Sequence, residues 1–133
     1  MAKESEVYDI ILNVPCIGFE DSSFCDRGGK WKAETLYKAA EDIPEFEIPL
    51  AGIDLSVMPW NINNIFNVAE HMKRVMKADL KYPILLDDYG YICDGWHRLV
   101  KALLLEKSHI RAKRLSTMPE PDAILEEPNK QKS

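Results

Sequence analysis

Residues 82–105, YPILLDDYGYICDGWHRLVKALLL, constrain the fold of this chain more than any other segment. Two short β-rich runs, YPILL and YIC, lie on either side of aspartate and glycine residues that favour a tight turn, which predicts a β-hairpin. A second turn pair, Asp94-Gly95, ends the hairpin, and apolar residues at helical spacing follow at once. The segment therefore predicts a hairpin that leads directly into a helix over residues 96–106.

The first turn of that predicted helix holds Trp96, His97 and Arg98. A helix N-terminus carries partial positive charge and unpaired backbone N–H groups, so cationic side chains are unfavourable there unless an anion is expected. Gly95 allows a tight turn and a close approach of the backbone to a ligand. Arg98 can bind a phosphate through two hydrogen bonds and His97 can donate another, so these residues predict an anion pocket.

Several roles are open to Asp94: it can cap the helix, hold Arg98, bind a metal or act as a base. Asp94 and His97 are the candidate catalytic residues. The candidate cofactor-binding residues are Gly95, Trp96, His97, Arg98 and Lys101. We expect Lys101, one turn further on, to matter less than Arg98. The structural alternative is an N-cap aspartate, a solvated first turn and a tryptophan of the core or its rim.

The second half of the chain holds further regular patterns. Residues 64–79 form a helical pattern, because apolar side chains recur on one face and Asn63 or Asn64 is available as the N-cap. The opposite face carries three basic side chains, Lys73, Arg74 and Lys77. Such a face is more often solvated than ligand-binding. Residues 110–115, IRAKRL, alternate apolar and basic side chains as a half-exposed strand does.

The first half gives weaker signals. From it we predict a strand over 7–14, a loop over 15–30, a helix from Ala33 that Pro44 terminates, and a strand over 46–55 interrupted at Pro49 and Gly52. From Met118 onward Pro, Glu, Lys and Gln dominate, which predicts a disordered tail.

The order strand, helix, hairpin, helix, strand in the second half predicts an α+β fold, in which helices pack on a small mixed β-sheet. We divide the chain into three parts. Residues 1–45 are an N-terminal extension packed on the domain, residues 46–116 are its core, and residues 117–133 are a flexible tail. A length of 133 residues suits a single domain, and 46% hydrophobic residues suffice for its core.

The cysteines, histidines and apolar runs limit the classes of protein to consider. Cys16, Cys25 and Cys93 lack C-x-x-C spacing, which predicts reduced thiols rather than disulfides or a zinc site. The three histidines show no ligand spacing with them, so no metal site is predicted. No apolar run reaches the roughly 20 residues of a membrane helix, and the N-terminus is charged. We therefore expect a cytoplasmic protein with no membrane partner.

The charge of the chain is unevenly distributed. The formal net charge of −5 argues against general coating of nucleic acid. Residues 1–60 hold 5 basic and 12 acidic side chains, whereas residues 61–115 hold 10 basic and 6 acidic ones. The positive charge therefore collects in the segment that contains the D-G-W-H-R helix start.

Residues 82–115, with a D-G-x-H-R helix start after a hairpin, resemble the ParB N-terminal/sulfiredoxin superfamily. The upstream sequence IPLAGIDLSVMPWN, residues 48–61, resembles the opening strand and turn of that family, and the helix 64–79 resembles the helix that follows. The resemblance covers about residues 46–116 and implies a ParB/sulfiredoxin-like fold. Residues 1–45 show no such resemblance.

In this superfamily the matching helix start binds nucleotide phosphates. The resemblance thus implies a nucleotide-binding domain for ATP or ADP with Mg²⁺, or for another nucleotide. Gly95, His97 and Arg98 would contact the phosphates, with Asp94 adjacent. The implied reaction is phosphoryl transfer to a small-molecule or protein acceptor, or nucleotide hydrolysis. Sulfiredoxin activity is not expected, because Trp96 stands where those enzymes carry the catalytic cysteine, and Cys93 lies three residues earlier.

Relatives that phosphorylate free serine also need a carboxylate base, for which Glu47 and Asp54 are the nearest candidates. The alternative class is a non-catalytic ParB-like module, plasmid- or phage-borne, that contacts DNA or a protein through basic residues of the helix 64–79 and the strand 110–115. DNA is the less favoured partner, because the chain is acidic and lacks the G-E-R-R-type motif of chromosome-partitioning ParB proteins. A third alternative is a degenerate member that has lost its ligand.

Overall fold

The computed structural model describes residues 10–16 and 23–125. Within these residues the chain is a small mixed α+β protein with two sheets. The helices are α1 (Ala33–Ala39), α2 (Ile65–Lys77) and α3 (Trp96–Leu104). The strands are β1 (Ser23–Asp26), β2 (Gly29–Lys32), β3 (Phe46–Pro49), β4 (Ile84–Leu86), β5 (Ile92–Asp94), β6 (His109–Arg114) and β7 (Ala123–Ile124).

The larger sheet has four strands in the order β3-β6-β4-β5. β4 and β5 pair antiparallel, so the hairpin predicted from the two β-rich runs is confirmed. β6 lies parallel to β4 and antiparallel to β3, which makes the sheet mixed as predicted. The predicted order of strand, helix, hairpin, helix and strand is confirmed as well.

Helix α3 connects the hairpin to β6 and packs on the sheet. Leu99 and Ala102 on α3 are buried with Ile84, because the apolar residues of this short helix recur at the spacing that keeps them on one face. The rest of this core cluster comes mainly from the strands, as Leu50, Leu86, Ile92, Ile110 and Ala112. This packing fixes the position of the N-terminus of α3 at the end of β5.

Helix α2 begins at the predicted N-cap. The Asn64 side chain accepts a hydrogen bond of 2.9 Å from the backbone N–H of Asn67, which satisfies one of the free donors at the helix start. The apolar face is less buried than its pattern predicts, since Val75 is buried but Ile65 is 83% exposed. α2 packs mainly against α3, which covers only part of that face.

Several predicted bounds shift by a few residues. The helix from Ala33 is confirmed, but it ends at Ala39, before Pro44 is reached. The predicted strand 46–55 stops at Pro49, because Leu50–Gly52 forms a 3-10 turn. α3 ends at Leu104 rather than at residue 106, and β6 covers His109–Arg114 rather than 110–115.

A second sheet, with strand order β1-β2-β7, was not predicted. β1 and β2 form a hairpin whose two turn residues, Arg27 and Gly28, have φ values of 46° and 78°. Positive φ at both positions is the geometry that suits a two-residue hairpin. The predicted loop over 15–30 is therefore wrong from Ser23 onward. The predicted strand over 7–14 is wrong for residues 10–14, and residues 7–9 lie outside the described residues.

The structure also differs from the predicted disorder after Met118. β7 pairs with β2, the indole N–H of Trp31 donates to the Pro119 carbonyl at 2.8 Å, and Asp122 accepts a hydrogen bond from the Lys32 backbone N–H at 2.8 Å. These contacts hold the chain against the small sheet as far as residue 125. Residues 126–133 lie outside the described residues.

The two sheets share a second buried cluster. Trp31 of β2 and Leu36 of α1 pack with Leu85 of β4, Cys93 of β5 and Leu115. This contact brings α1 beside the point where β5 leads into α3. None of the helices in the described residues is both long and apolar enough to span a membrane.

Candidate functional site

The turn at Gly95 delivers the chain from β5 into α3. Gly95 is the N-cap of α3 and has a φ of 113°. A Cβ built there would come within 2.6 Å of the Ile84 side chain, so the glycine is required by packing against β4. Asp94 makes no capping hydrogen bond, since the cap residue is Gly95 itself. The N–H groups of residues 96–98 precede the first helical hydrogen bond, from Leu99 to Gly95.

Asp94, Arg98 and Tyr37 form one hydrogen-bonded group at this helix start. Asp94 Oδ2 accepts hydrogen bonds from Arg98 Nη2 at 3.0 Å and from the Tyr37 hydroxyl at 2.7 Å, and Arg98 Nη2 also donates to the Tyr37 oxygen. Burial of the hydroxyl, with the nearby Asp94 charge, raises the pKa of Tyr37. The phenol is therefore a neutral donor to Asp94. Of the roles considered for Asp94, the structure shows the contact in which Asp94 holds Arg98.

Arg98 keeps donors for a ligand. Its contacts to Asp94 and Tyr37 both use Nη2. Within residues 10–16 and 23–125, Nε and Nη1 of Arg98 have no hydrogen-bond partner. A guanidinium has five N–H donors, so it can bind an anion while it holds Asp94.

His97 lies in an aromatic cluster that the sequence did not predict. His97 Nε2 and His71 Nδ1 of α2 are 2.9 Å apart, so the two imidazoles are hydrogen-bonded. The Trp60 indole stacks on both rings, with centroid distances of 4.4 Å to His97 and 4.6 Å to His71. Burial lowers the pKa of His97 to about 3, and the charges of Arg74, His71 and Arg98 act in the same direction. Burial also lowers the pKa of His71.

A cleft of about 600 Å³ opens beside these groups. Asp94, Gly95, His97 and Arg98 all contribute to its wall, so four of the predicted site residues meet in one cavity. Three further cations line the cleft, Arg74, Lys77 and Lys113, and two further carboxylates, Glu45 and Asp79. The remaining wall is Tyr37, Ala78, Tyr82 and Pro83. The cleft therefore combines an excess of cations, a helix N-terminus and apolar surface.

Not all of these cations are equally available. Lys113 Nζ donates to the Ala40 carbonyl at 3.0 Å, beyond the C-terminus of α1. Glu45 lies 3.7 Å from Arg111. Lys77 forms no hydrogen bond or ion pair with any residue of the described chain, which makes it a free cation for a ligand in the cleft. The basic face noted on the helix 64–79 was the one sequence signal for Arg74 and Lys77.

Two predicted site residues lie elsewhere. Trp96 is half-buried and packs against the core cluster of α3 and the larger sheet. Lys101 Nζ donates to the carbonyls of Met76 at 3.0 Å and Ala78 at 2.6 Å, which satisfies the C-terminal end of α2. Neither residue lines the cleft.

Of the other reactive or acidic groups considered from the sequence, Cys93, Asp87 and Asp54 have structural partners. Cys93 is buried, donates to the Leu85 carbonyl at 3.3 Å, and burial raises its pKa to about 12, so it is an inert thiol. Asp87 is buried in the hairpin turn and accepts hydrogen bonds from backbone N–H groups. Asp54 is exposed, and its hydrogen bonds from Ser56 hold its pKa below the usual range. Glu47 and Asp54 do not line the cleft.

Comparison with family models, curated proteins and solved structures gives no match to this chain. The assignment of a function therefore rests on the geometry of the cleft and on the resemblance of the D-G-x-H-R helix start.

Proposed function

We propose that this chain is a ParB/sulfiredoxin-like domain that binds a nucleoside phosphate in the cleft at the N-terminus of α3. ATP or ADP with Mg²⁺ is the proposed ligand, and transfer or hydrolysis of a phosphoryl group is the proposed reaction. The observation that carries the proposal is that Gly95, His97 and Arg98 face the same cleft as Arg74 and Lys77.

The chemistry of the cleft suits a phosphate. Free N–H groups and the partial positive charge of a helix N-terminus bind anions, and the remaining Arg98 donors are within the same wall. In the ligand-free protein the lowered pKa of His97 keeps it neutral at pH 7, so the charge that attracts an anion comes from the arginines and Lys77. The apolar wall at Tyr82 and Pro83 gives a nucleoside a surface to pack on.

Mg²⁺ would enter with the nucleotide rather than occupy a site of its own. Among the residues that the structure describes, no group of three or more Asp, Glu, His or Cys side chains is placed to hold a metal ion. Mg²⁺ in nucleotide sites needs only one or two carboxylates, since phosphate oxygens and waters complete its shell. The carboxylates that line the cleft and could take this role are Glu45, Asp79 and Asp94.

The proposal predicts that a nucleotide stabilises the protein. In a thermal-shift panel of ATP, ADP, CTP, GTP and free serine, each with and without Mg²⁺, at least one nucleotide should raise the melting temperature. A ligand at 100 times its dissociation constant stabilises by about 2.7 kcal/mol, which is several degrees for a domain of this size. If no nucleotide shifts the melting temperature and calorimetry detects no heat, the proposed function is wrong.

Lys77→Gln should weaken nucleotide binding with little loss of stability. Lys77 lines the cleft and has no hydrogen-bond or ion-pair partner among the described residues, so its removal costs its attraction for the ligand and about 0.3–1 kcal/mol of its interaction with the C-terminus of α2. Two unit charges 4 Å apart interact by about 1 kcal/mol even in bulk water, so affinity should fall at least about fivefold. Lys107→Gln is the matched control, because Lys107 is exposed and does not line the cleft. Equal affinities of the two variants would place the ligand elsewhere.

DNA binding is the alternative function, and the contacts of the basic residues support it less. On the strand, Lys113 and Arg114 donate to backbone carbonyls and Arg111 is near Glu45; on the helix, Lys73 donates to the Val14 carbonyl at 2.6 Å. These side chains are engaged within the protein. A salt series distinguishes the two functions, because binding through several DNA phosphates weakens steeply as salt rises.

A further inference from the structure

The imidazoles of His71 and His97 form a unit that can hold one extra proton. In the neutral pair a single N–H lies between His71 Nδ1 and His97 Nε2, which are 2.9 Å apart. One added proton makes one ring an imidazolium and keeps that hydrogen bond. A second would place two N–H donors face to face and break it. The pair therefore titrates as a coupled unit that takes up one proton before it is disrupted.

The groups around the pair determine the pKa at which it takes up that proton. The charged groups that act on it are Arg74 and Glu70 on α2 and Arg98 on α3. The two arginines disfavour a positive charge on the pair, whereas Glu70 favours it. The Trp60 face stacks on both rings and stabilises an imidazolium through a cation–π interaction. The pKa of the pair therefore depends on how far the positive charge of the two arginines is neutralised.

Both arginines line the cleft, and so does His97. An anion in the cleft would neutralise their charge and place negative charge beside the pair. We propose that binding of a phosphate-bearing ligand in the cleft drives uptake of one proton from solvent by the His71–His97 pair, and that the proton is released when the ligand leaves. This inference rests on the proposed function, because it requires an anion in that cleft.

Proton uptake fixes the sign of the pH dependence. The pair has a lower pKa in the free protein than in the complex, so the complex binds more protons in the interval between the two values. By linkage, affinity for the ligand should be highest below the free-state value and should fall as pH rises through the bound-state value. An opposite charge at about 4–6 Å shifts a pKa by roughly 1–3, which is the increase expected for the pair on binding.

The experiment is an NMR titration of the three histidine Cε1–H signals of the full chain, with and without saturating ATP. His109 is exposed on β6, outside the cleft lining, and serves as an internal reference. ATP should raise the apparent pKa of the His71 and His97 signals by at least one pH unit and leave His109 unchanged. If ATP binds, as seen by calorimetry, but the pair titrates as in the free protein, the inference is wrong and the proposed function stands. If none of ATP, ADP, CTP and GTP binds at any pH, both the inference and the proposed function fail.

A variant separates the protons of the pair from those of ATP itself. His71→Gln keeps a hydrogen-bonding group beside His97 but removes one titrating ring, while the phosphate titration of ATP is the same in both proteins. The rise in ATP affinity between pH 8 and pH 5.5 should therefore be smaller in His71→Gln than in the wild type. An identical pH profile for the two proteins would assign the protons to ATP and overturn the inference.

Discussion

Replacing Gly95 by alanine should lower the free energy of unfolding by about 2–6 kcal/mol, the largest effect on stability expected for a change at the site. Two independent costs add. The φ of 113° is strained for any residue with a Cβ, at about 1–3 kcal/mol. The new Cβ would also come within 2.6 Å of the side chain and 3.0 Å of the backbone of Ile84, which is fully buried, and overpacking a core costs about 1–3 kcal/mol.

Two other glycines separate these costs in the same denaturation experiment. Gly28 also has a positive φ, of 78°, but nothing lies within 4 Å of a Cβ built on it, so Gly28→Ala should show the backbone cost alone. Gly52 has neither positive φ nor a close neighbour, its nearest being Pro49 at 3.8 Å, so Gly52→Ala should be nearly neutral. If Gly95→Ala is no more destabilising than Gly28→Ala, the contact between the new Cβ and Ile84 relaxes at no cost, and the packing argument is wrong.

The elements that could be predicted from the sequence are those whose own residues determine them. The hairpin of β4 and β5 is bounded by turn residues, and α2 has both an N-cap and a periodic apolar face. β1 and β2 have only four residues each, and the glycines around them indicate a loop unless their partner is known. β7 has two residues and is held by contacts to Trp31 and Lys32, far away in sequence. Such tertiary contacts leave no local pattern.

The site also contains residues that the local sequence predicts and residues that only tertiary contacts bring in. The D-G-x-H-R helix start is a local feature, and four of its residues do line the cleft. Tyr37 of α1 lines the cleft, whereas His71 of α2 and Trp60 of the preceding loop contact His97. No spacing in the sequence connects these three residues with α3. Spacing along the helix groups Lys101 with Arg98, but the Lys101 ammonium donates to the Met76 and Ala78 carbonyls at the C-terminal end of α2. Contacts of this kind depend on how the helices pack together, which the local sequence does not determine.

Arg98→Ala should reduce nucleotide affinity about ten- to a hundredfold and also lower the free energy of unfolding by about 1–3 kcal/mol. The affinity loss follows from hydrogen bonds between the guanidinium and a charged ligand, worth about 1.5–3 kcal/mol. The stability loss follows from Asp94, whose carboxylate is 19% exposed and would keep only the Tyr37 hydroxyl as a side-chain donor. Arg98→Lys should restore affinity only in part, because an ammonium cannot make two parallel hydrogen bonds to a phosphate.

The partner substitution Asp94→Asn distinguishes a ligand-binding arginine from one that merely holds the turn. An asparagine can still accept hydrogen bonds from Tyr37 and Arg98, but the negative charge that competes with a phosphate for Arg98 is gone. ATP without Mg²⁺ should then bind at least about fivefold more tightly, since two unit charges 4 Å apart interact by about 1 kcal/mol even in bulk water. Affinity should thus move in opposite directions in Asp94→Asn and Arg98→Ala, as measured by calorimetry in EDTA. If both variants instead lose stability equally and bind ATP like the wild type, Arg98 serves only to fix Asp94, and the phosphate role assigned to it is wrong.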